Sequence, residues 1–201
     1  MSALFPCPQL RLACDFWLWY FTSQCHKTVT IHFGRKMSFE IERKFLVHGD
    51  TWRNSAIGHT KIRQAYLDSS AKISMRVRIK DDRSATLTLK SRSSKLRRRE
   101  FEYAIPTSDA AELISFRRGH IVEKVRYIVP YGCLNWEVDV FSGENLGLVT
   151  AEIELLDENH QIELPPWIGP EVTGQDRYYN GTLAQHPYSS WLHSNTAVAA
   201  E

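Results

Sequence analysis

The sequence predicts an α+β protein built on a closed eight-stranded antiparallel β-barrel with helices packed outside it. Three observations predict this. From Phe39 onward, segment after segment alternates apolar with polar or charged side chains, the period of a strand whose two faces meet different surroundings. The gaps between these segments are mostly short and carry turn-forming residues, as antiparallel neighbours require. The charged faces are also sorted by sign into acidic pairs and basic pairs. An ordinary solvated sheet intersperses the two signs, because like charges side by side repel.

Composition sets the frame. With 201 residues, 43% hydrophobic and 24% charged, the chain suits one globular domain and is short for two. A formal net charge of +2, from 25 basic and 23 acidic residues, creates no whole-molecule field for nucleic acid or membrane. Cys7, Cys14, Cys25 and Cys133 form no CxxC pair and no zinc-type spacing, so neither a disulfide framework nor a zinc site is expected. The most apolar stretch, Leu10 to Phe21, carries Asp15 and is too short to cross a bilayer as a helix. It lacks a strongly basic leader and a small-residue cleavage site, so it does not read as a signal peptide, and the expected location is cytoplasmic.

Residues 1–36 differ from the rest. Trp17, Trp19 and Tyr20 cluster there without a period of 2 or 3.6, and clear alternation begins only after Met37. This stretch is read as an extension upstream of a natural start at Met37; the alternative is a segment that packs its aromatics on the barrel exterior. The domain is expected over residues 37–190, followed by a tail over 191–201.

The strands follow in order. In Phe39 to Phe45, Glu40, Glu42 and Lys44 oppose Phe39, Ile41, Arg43 and Phe45. Ile62 to Leu67 is the second strand. Ile73 to Lys80 sets Ser74, Arg76, Arg78 and Lys80 against Ile73, Met75, Val77 and Ile79, and Ala85 to Lys90 sets Thr86, Thr88 and Lys90 against Ala85, Leu87 and Leu89. Glu100 and Glu102 oppose Phe101, Tyr103 and Ile105; Lys124 and Arg126 share a face within His120 to Val129. Glu137 and Asp139 oppose Trp136, Val138 and Val140, and Glu152 and Glu154 oppose Ala151, Ile153 and Leu155. Turns are expected at Asp81-Asp82, Pro130-Tyr131-Gly132 and Ser142-Gly143, and helices after Asp50, over Ser108 to Arg117, and over Asp176 to Ala184, stopped by Pro187.

For any single strand, a charged face turned to solvent accounts for the alternation. Eight strands with sign-sorted pairs point inward instead. Carboxylate clusters suit a hard divalent cation, and Arg/Lys clusters suit phosphate oxygens. Closing the sheet brings both sets into one lumen.

The string Glu40-Ile41-Glu42-Arg43-Lys44 opens the pattern, and Arg76/Arg78, the Thr-Leu-Lys ending at Lys90, Glu100/Glu102, Lys124/Arg126, Glu137/Asp139 and Glu152/Glu154 follow in order. In these elements the chain resembles the CYTH superfamily, the triphosphate tunnel metalloenzymes. The resemblance spans about residues 37–185, including the closing segment Glu171 to Asn180. It implies an eight-stranded tunnel that binds triphosphate compounds with Mg²⁺ or Mn²⁺. Members include inorganic, thiamine and RNA triphosphatases and class IV adenylate cyclases.

By this resemblance, Glu40, Glu42 and Glu154 match the principal metal-binding carboxylates, and Glu100, Glu102, Glu137, Asp139 and Glu152 are further ligands or act through water. Lys44, Arg76, Arg78, Lys90, Lys124 and Arg126 would hold the phosphate chain, Arg through bidentate forks and Lys as point charges. Lys80, at a strand end, is a weaker candidate. Lys124, crowded by cations, would take a proton from water with Tyr66 as its polar partner; the alternative for Tyr66 is a core residue with its hydroxyl at the rim. The run Lys95 to Arg99 reads as a solvated loop or a funnel at the tunnel mouth rather than an RNA site. His32, His59, His120 and His160 share no metal spacing.

The expected activity is metal-assisted hydrolysis of inorganic triphosphate or a related compound. The rivals are an adenylate cyclase or thiamine triphosphatase on the same fold and a non-catalytic polyphosphate-binding module. The expected partner is the small triphosphate itself, with neither nucleic acid nor membrane, and a homodimer is allowed. Because no motif lies before Met37, a chain beginning there is expected to fold and turn over normally. Loss of cooperative thermal unfolding in that truncation would show the first 36 residues to be integral.

Overall fold

The computed structural model describes residues 41–69, 73–91, 100–155 and 160–194. Nine strands make one sheet: β1 (Ile41–Val47), β2 (Gly58–Ser69), β3 (Ile73–Lys80), β4 (Ser84–Ser91), β5 (Glu100–Ile105), β6 (Arg118–Tyr131), β7 (Leu134–Ser142), β8 (Val149–Leu155) and β9 (Ile168–Glu171). Their spatial order is β5-β4-β3-β2-β6-β7-β8-β1-β9, and every pairing is antiparallel. The helices are α1 (Thr107–Ser115), α2 (Asn180–Leu183) and α3 (Tyr188–Ser194), with single 3-10 turns at Thr51–Ser55, Gly143–Asn145 and Asp176–Tyr178. None of the described helices is long and apolar enough to cross a membrane.

Local chemistry explains the connections. Asp81 and Asp82 both take positive φ (51° and 55°), the conformation that matches a two-residue turn to the twist of β3 and β4. Asp81 Oδ1 accepts the Lys61 backbone N–H at 2.8 Å, which helps offset the strain. Gly132 and Gly143, both at φ 59°, open the turns after β6 and β7.

The expected antiparallel α+β fold is present, and its sheet has nine strands where eight were expected. The extra strand, β9, pairs with the free side of β1 through Phe45↔Glu171 and Val47↔Ile168, across a bulge. Gly169 and Pro170 hide it, since proline lacks the N–H of a ladder and is tolerated only at a sheet edge. Among the described residues the end strands β5 and β9 are not hydrogen-bonded to each other. The sheet is nevertheless curled: β2 and β1 lie four places apart in its order, yet Leu46 of β1 packs against the cluster that holds Tyr66 of β2.

The convex face carries two apolar clusters. Phe45, Trp52, Val129, Trp136, Val138, Ala151, Ile153, Leu155 and Trp167 form one. Ala65, Val77, Ile79 and Ala85 form the other, covered by Ala110 and Ile114 of α1. A third cluster fills part of the concave side: Tyr66, Val122, Phe141 and Leu148 pack against Leu183 and Ala184 around α2.

The helices differ from expectation at both ends of the domain. Asp50 precedes only the 3-10 turn at Thr51–Ser55 and makes no side-chain cap. The expected Asp176 to Ala184 helix is split into a 3-10 turn and α2, broken at Tyr179, whose backbone is extended. Pro187 starts a helix rather than ending one, because a proline at a helix's leading edge has no N–H to lose. Through α3 the described fold reaches Ser194, and Trp191 stacks on Tyr178 and Tyr188 at 5.3 and 4.9 Å between ring centroids.

Trp136 is fully buried and meets Phe45 and Trp167 edge-on at 5.5 and 5.7 Å. Trp136→Ala is expected to destabilise the protein by about 3–5 kcal/mol through lost burial and a residual cavity. Thermal denaturation checks this, and an unchanged midpoint would contradict the assignment of this cluster as the main core.

Candidate active site

Cross-strand pairing decides which side chains share a face, since directly opposed residues point the same way. Tyr66 stands opposite Arg76, Arg76 opposite Thr88, and Thr88 opposite Glu102. Arg126 stands opposite Asp139, Glu137 opposite Glu152, Glu152 opposite Lys44, and Glu154 opposite Glu42. The register therefore lays every described candidate on the same concave face of the curled sheet. Glu40 and the Lys95 to Arg99 run lie outside the described residues.

The basic wall is centred on β3. Arg76 donates to Thr88 Oγ1 at 3.1 Å and lies 3.8–3.9 Å from Glu102 and Glu100, while its buried Nε has no partner. Arg78 Nε donates to Gln64 Oε1 at 3.0 Å, a neutral amide. Burial, and then the neighbouring Arg76 and Arg126 cations, push Arg78 down to about 10. Lys80, at the exposed end of β3, is also lowered, by desolvation first and Arg78 second. Lys90 pairs with Glu100 at 2.7 Å.

Opposite it lies a denser ion-pair network. Arg126 engages Asp139 through two nitrogens at 2.7 Å each, Glu152 at 2.6 Å, and Glu137. Desolvation alone would lower its proton affinity, but the Asp139, Glu152 and Glu137 carboxylates outweigh it and hold it far above the ordinary value. Glu152 also takes Lys44 at 2.7 Å; burial alone would raise this carboxyl, but Lys44, Lys124 and Arg126 hold it well below the carboxylate range. Lys44 is raised in turn, its desolvation outweighed by Glu152 and Glu42. Burial raises Glu137, against the pull of Arg126.

Lys124 and Asp139 form a fully buried ion pair. Even so, Lys124 is lowered to about 8, because burial and the Arg126 charge together outweigh the Asp139 carboxylate. Its Nζ also reaches Asn180 Oδ1 at 3.5 Å. The expected contact with Tyr66 is replaced: the Tyr66 hydroxyl meets Gln64 Nε2 at 3.5 Å and Arg76, and burial raises its proton affinity. The reason lies in the register, which sets Lys124 opposite Ile62, four residues before Tyr66.

The acids thus fall into two groups. Glu100, Glu102, Glu137, Asp139 and Glu152 are engaged by Lys or Arg. Glu42 and Glu154 face each other across β1 and β8, and Glu42 is only 3.9 Å from Lys44 at its nearest basic contact. The Glu42 side chain is 45% exposed, but that area opens into the concavity. Its carboxyl is pushed up to about 7, by desolvation first and by the Glu152 carboxylate second, against Lys44, Arg126 and Lys90. Among the described residues no three His, Cys, Asp or Glu side chains converge closely enough to hold a metal on their own.

Several site residues escape sequence reading. Gln64 shares the charged face with Tyr66, so the same alternation could have found it; the alternation also puts Thr88 on that face, beside Lys90, but gives it no role. Asn180, with the Tyr178 carbonyl that accepts Lys44 Nζ at 3.3 Å, lies in an aperiodic segment with no signal. Arg43 belongs to the convex side and makes a two-pronged contact with Glu171 of β9 at 2.9 and 2.6 Å.

Known proteins are similar to this chain over nearly their whole length. The chain is 44% identical over 156 residues to a protein named inorganic triphosphatase from Acetivibrio thermocellus, covering 77% of this chain and 99% of that one. It is 38% identical over 150 residues to another of that name from Nitrosomonas europaea, covering 72% and 96%. A crystal structure described as an inorganic triphosphatase superposes with a TM-score of 0.59 at 34% identity, covering 74% of this chain and 95% of that one. The model of the CYTH domain family matches residues 38–188, which hold every described strand and every concave-face residue above. The chain belongs to the CYTH domain family.

Proposed function

We propose that this chain is an inorganic triphosphatase that hydrolyses a phosphoanhydride bond of tripolyphosphate bound on the concave face. The observation that carries this reading is the cation cluster on β3, in which Arg78 has a neutral hydrogen-bond partner and Arg76 meets carboxylates only at 3.8–3.9 Å. Arg78 is bonded to a neutral amide, is depressed to about 10 by burial and by its cationic neighbours, and sits beside an Arg76 whose buried Nε lacks a partner. Buried positive charge without a matching anion is costly unless an anion arrives. A chain of phosphoryl groups supplies several acceptor oxygens at once, in the fork geometry guanidinium groups prefer. The names of the two relatives and of the solved structure point the same way.

A divalent cation, Mg²⁺ or Mn²⁺, belongs to this reading. Mg²⁺ commonly takes one or two carboxylates and completes its shell with water and phosphate oxygens, so a preformed cage of three acids is not required. Glu42 and Glu154 fit that donor set. Glu42 is raised by repulsion and desolvation that a cation relieves. When bound, such a cation neutralises charge on the phosphate oxygens and favours a bound water as nucleophile. The other five acids then serve chiefly to hold Lys44, Lys90, Lys124, Arg76 and Arg126 in place.

Within the site, Arg76 and Arg78 grip the phosphate chain from β3, with Lys44, Lys90 and Arg126 as further phosphate contacts. Lys124 and Tyr66 are the catalytic candidates. Paired with Asp139, Lys124 has no lone pair to accept a proton, so in this state it stabilises charge on the phosphoryl group. It can take a proton from water only as the neutral amine, after its own proton has passed to Asp139 or to solvent. The Tyr66 hydroxyl, against Arg76, orients the same group from the β2 side.

Purified protein is expected to release phosphate and pyrophosphate from tripolyphosphate with Mg²⁺ or Mn²⁺, and to form no cyclic AMP from ATP. Tight tripolyphosphate binding without turnover would favour a binding module instead. Arg78→Ala is expected to raise KM for tripolyphosphate about tenfold or more with little change in metal dependence. Glu42→Gln is expected to lower kcat about a hundredfold and raise the metal concentration needed for half-maximal rate. Steady-state kinetics with a Mn²⁺ titration separates these, and wild-type behaviour in Glu42→Gln would sink the cation assignment.

A further inference from the structure

The concavity is built differently at its two ends. Tyr66, Val122 and Phe141, all on concave-face registers, are covered by Leu183 and Ala184 rather than left open. The segment that enters this cover touches three site residues within four positions. The Tyr178 carbonyl accepts Lys44 Nζ at 3.3 Å, the Tyr179 ring lies 5.6 Å from the same ammonium, and Asn180 Oδ1 accepts Lys124 Nζ at 3.5 Å. Gly181 backs onto the Tyr66 ring, 3.7 Å from where its Cβ would be.

The segment is firmly mounted. The His120 N–H donates to the Ala184 carbonyl at 2.7 Å, next to Gly119, whose φ is +78°. A Cβ on Gly119 would lie 2.2 Å from that same carbonyl oxygen, so this close approach of β6 to the end of α2 needs glycine. On the other side, Arg177 lies 3.7 Å over the Trp191 ring, and Tyr178 stacks edge-on against the same ring.

We infer that residues 178–181 form an end wall of the phosphate-binding lumen, in which Asn180 is a positioning residue that aims the Lys124 ammonium. An ammonium only donates, so the Asn180 oxygen must be the group that faces it. A neutral acceptor matters here. Lys124 already has the Asp139 carboxylate, and a second carboxylate would add a buried negative charge beside the site of a polyanion. A wall of backbone carbonyl, ring face and amide orients both lysines without that penalty.

The inference rests on the triphosphatase reading, and the test separates the two. Asn180→Ala should leave KM for tripolyphosphate within about twofold and lower kcat about tenfold, as loss of orientation at a reacting group does. The isosteric Asn180→Asp should instead raise KM about tenfold, from like-charge repulsion. Circular dichroism and thermal melts give the folded fraction, to which both constants are referred. A purely structural role would lower activity only in step with that fraction, with kcat and KM per folded molecule unchanged, and that result overturns the inference. If the wild type shows no turnover, the triphosphatase reading fails by itself. Calorimetric titration with tripolyphosphate then decides the inference: weaker binding by Asn180→Asp than by wild type upholds the end wall, and equal affinity overturns it.

Discussion

Two guanidinium groups, two residues apart on one strand and turned into a concave face with little water, repel each other, and much of the fold serves to keep them there. Arg76 and Arg78 cannot rotate away. Val77 and Ile79, alternating with them, are locked into the convex cluster under α1, so the pleat of β3 commits both arginines to the other side. Their hydrogen-bond acceptors are the neutral Thr88 and Gln64, and Arg76 meets Glu102 and Glu100 only at 3.8–3.9 Å. The outcome is a standing positive charge in a partly desolvated cavity, the condition under which an added polyanion binds strongly.

Strands β6, β7 and β8 do the opposite job. There, each cation is matched, and the arrangement is close to saturated: Arg126 reaches three carboxylates, and Lys124 and Asp139 are sealed together. A saturated network is rigid, because removing one member leaves a buried charge unpaired. It positions Lys124 and Lys44 while leaving Glu42 and Glu154, facing each other at the margin, as the acids with room for a cation. Repulsion between Glu42 and Glu152 and repulsion between Arg78 and Arg76 are thus complementary, and on the proposed reading a metal-bound triphosphate would relieve both.

Much of this was legible in the sequence, and the limits have physical causes. Strands Ile73–Lys80 and Glu100–Ile105 match the alternation residue for residue, because both faces of each strand have opposed chemistry. Strand β2 runs longer than its pattern, since Gly58 and His59 are strand by virtue of pairing with Ile128 and Tyr127 and not by their own preference. Strand β9 is short and contains proline, so only its partner β1 reveals it. In the site, alternation showed which residues share a face, but not which acids are already paired. That depends on cross-strand register: Glu152 meets Lys44 while Glu154, two residues on, meets Glu42. No period announces Asn180 or the Tyr178 carbonyl, because an aperiodic segment is placed by tertiary packing alone.

The central claim is that the two arginines on β3 are where the triphosphate binds. The most direct measurement is a crystal structure of the protein with tripolyphosphate and Mn²⁺. The account predicts phosphate oxygens within hydrogen-bond distance of both Arg76 and Arg78, with the metal between those oxygens and Glu42. Tripolyphosphate bound on the convex face, or in the concavity with Arg76 and Arg78 keeping their present partners and no phosphate contact, would contradict it.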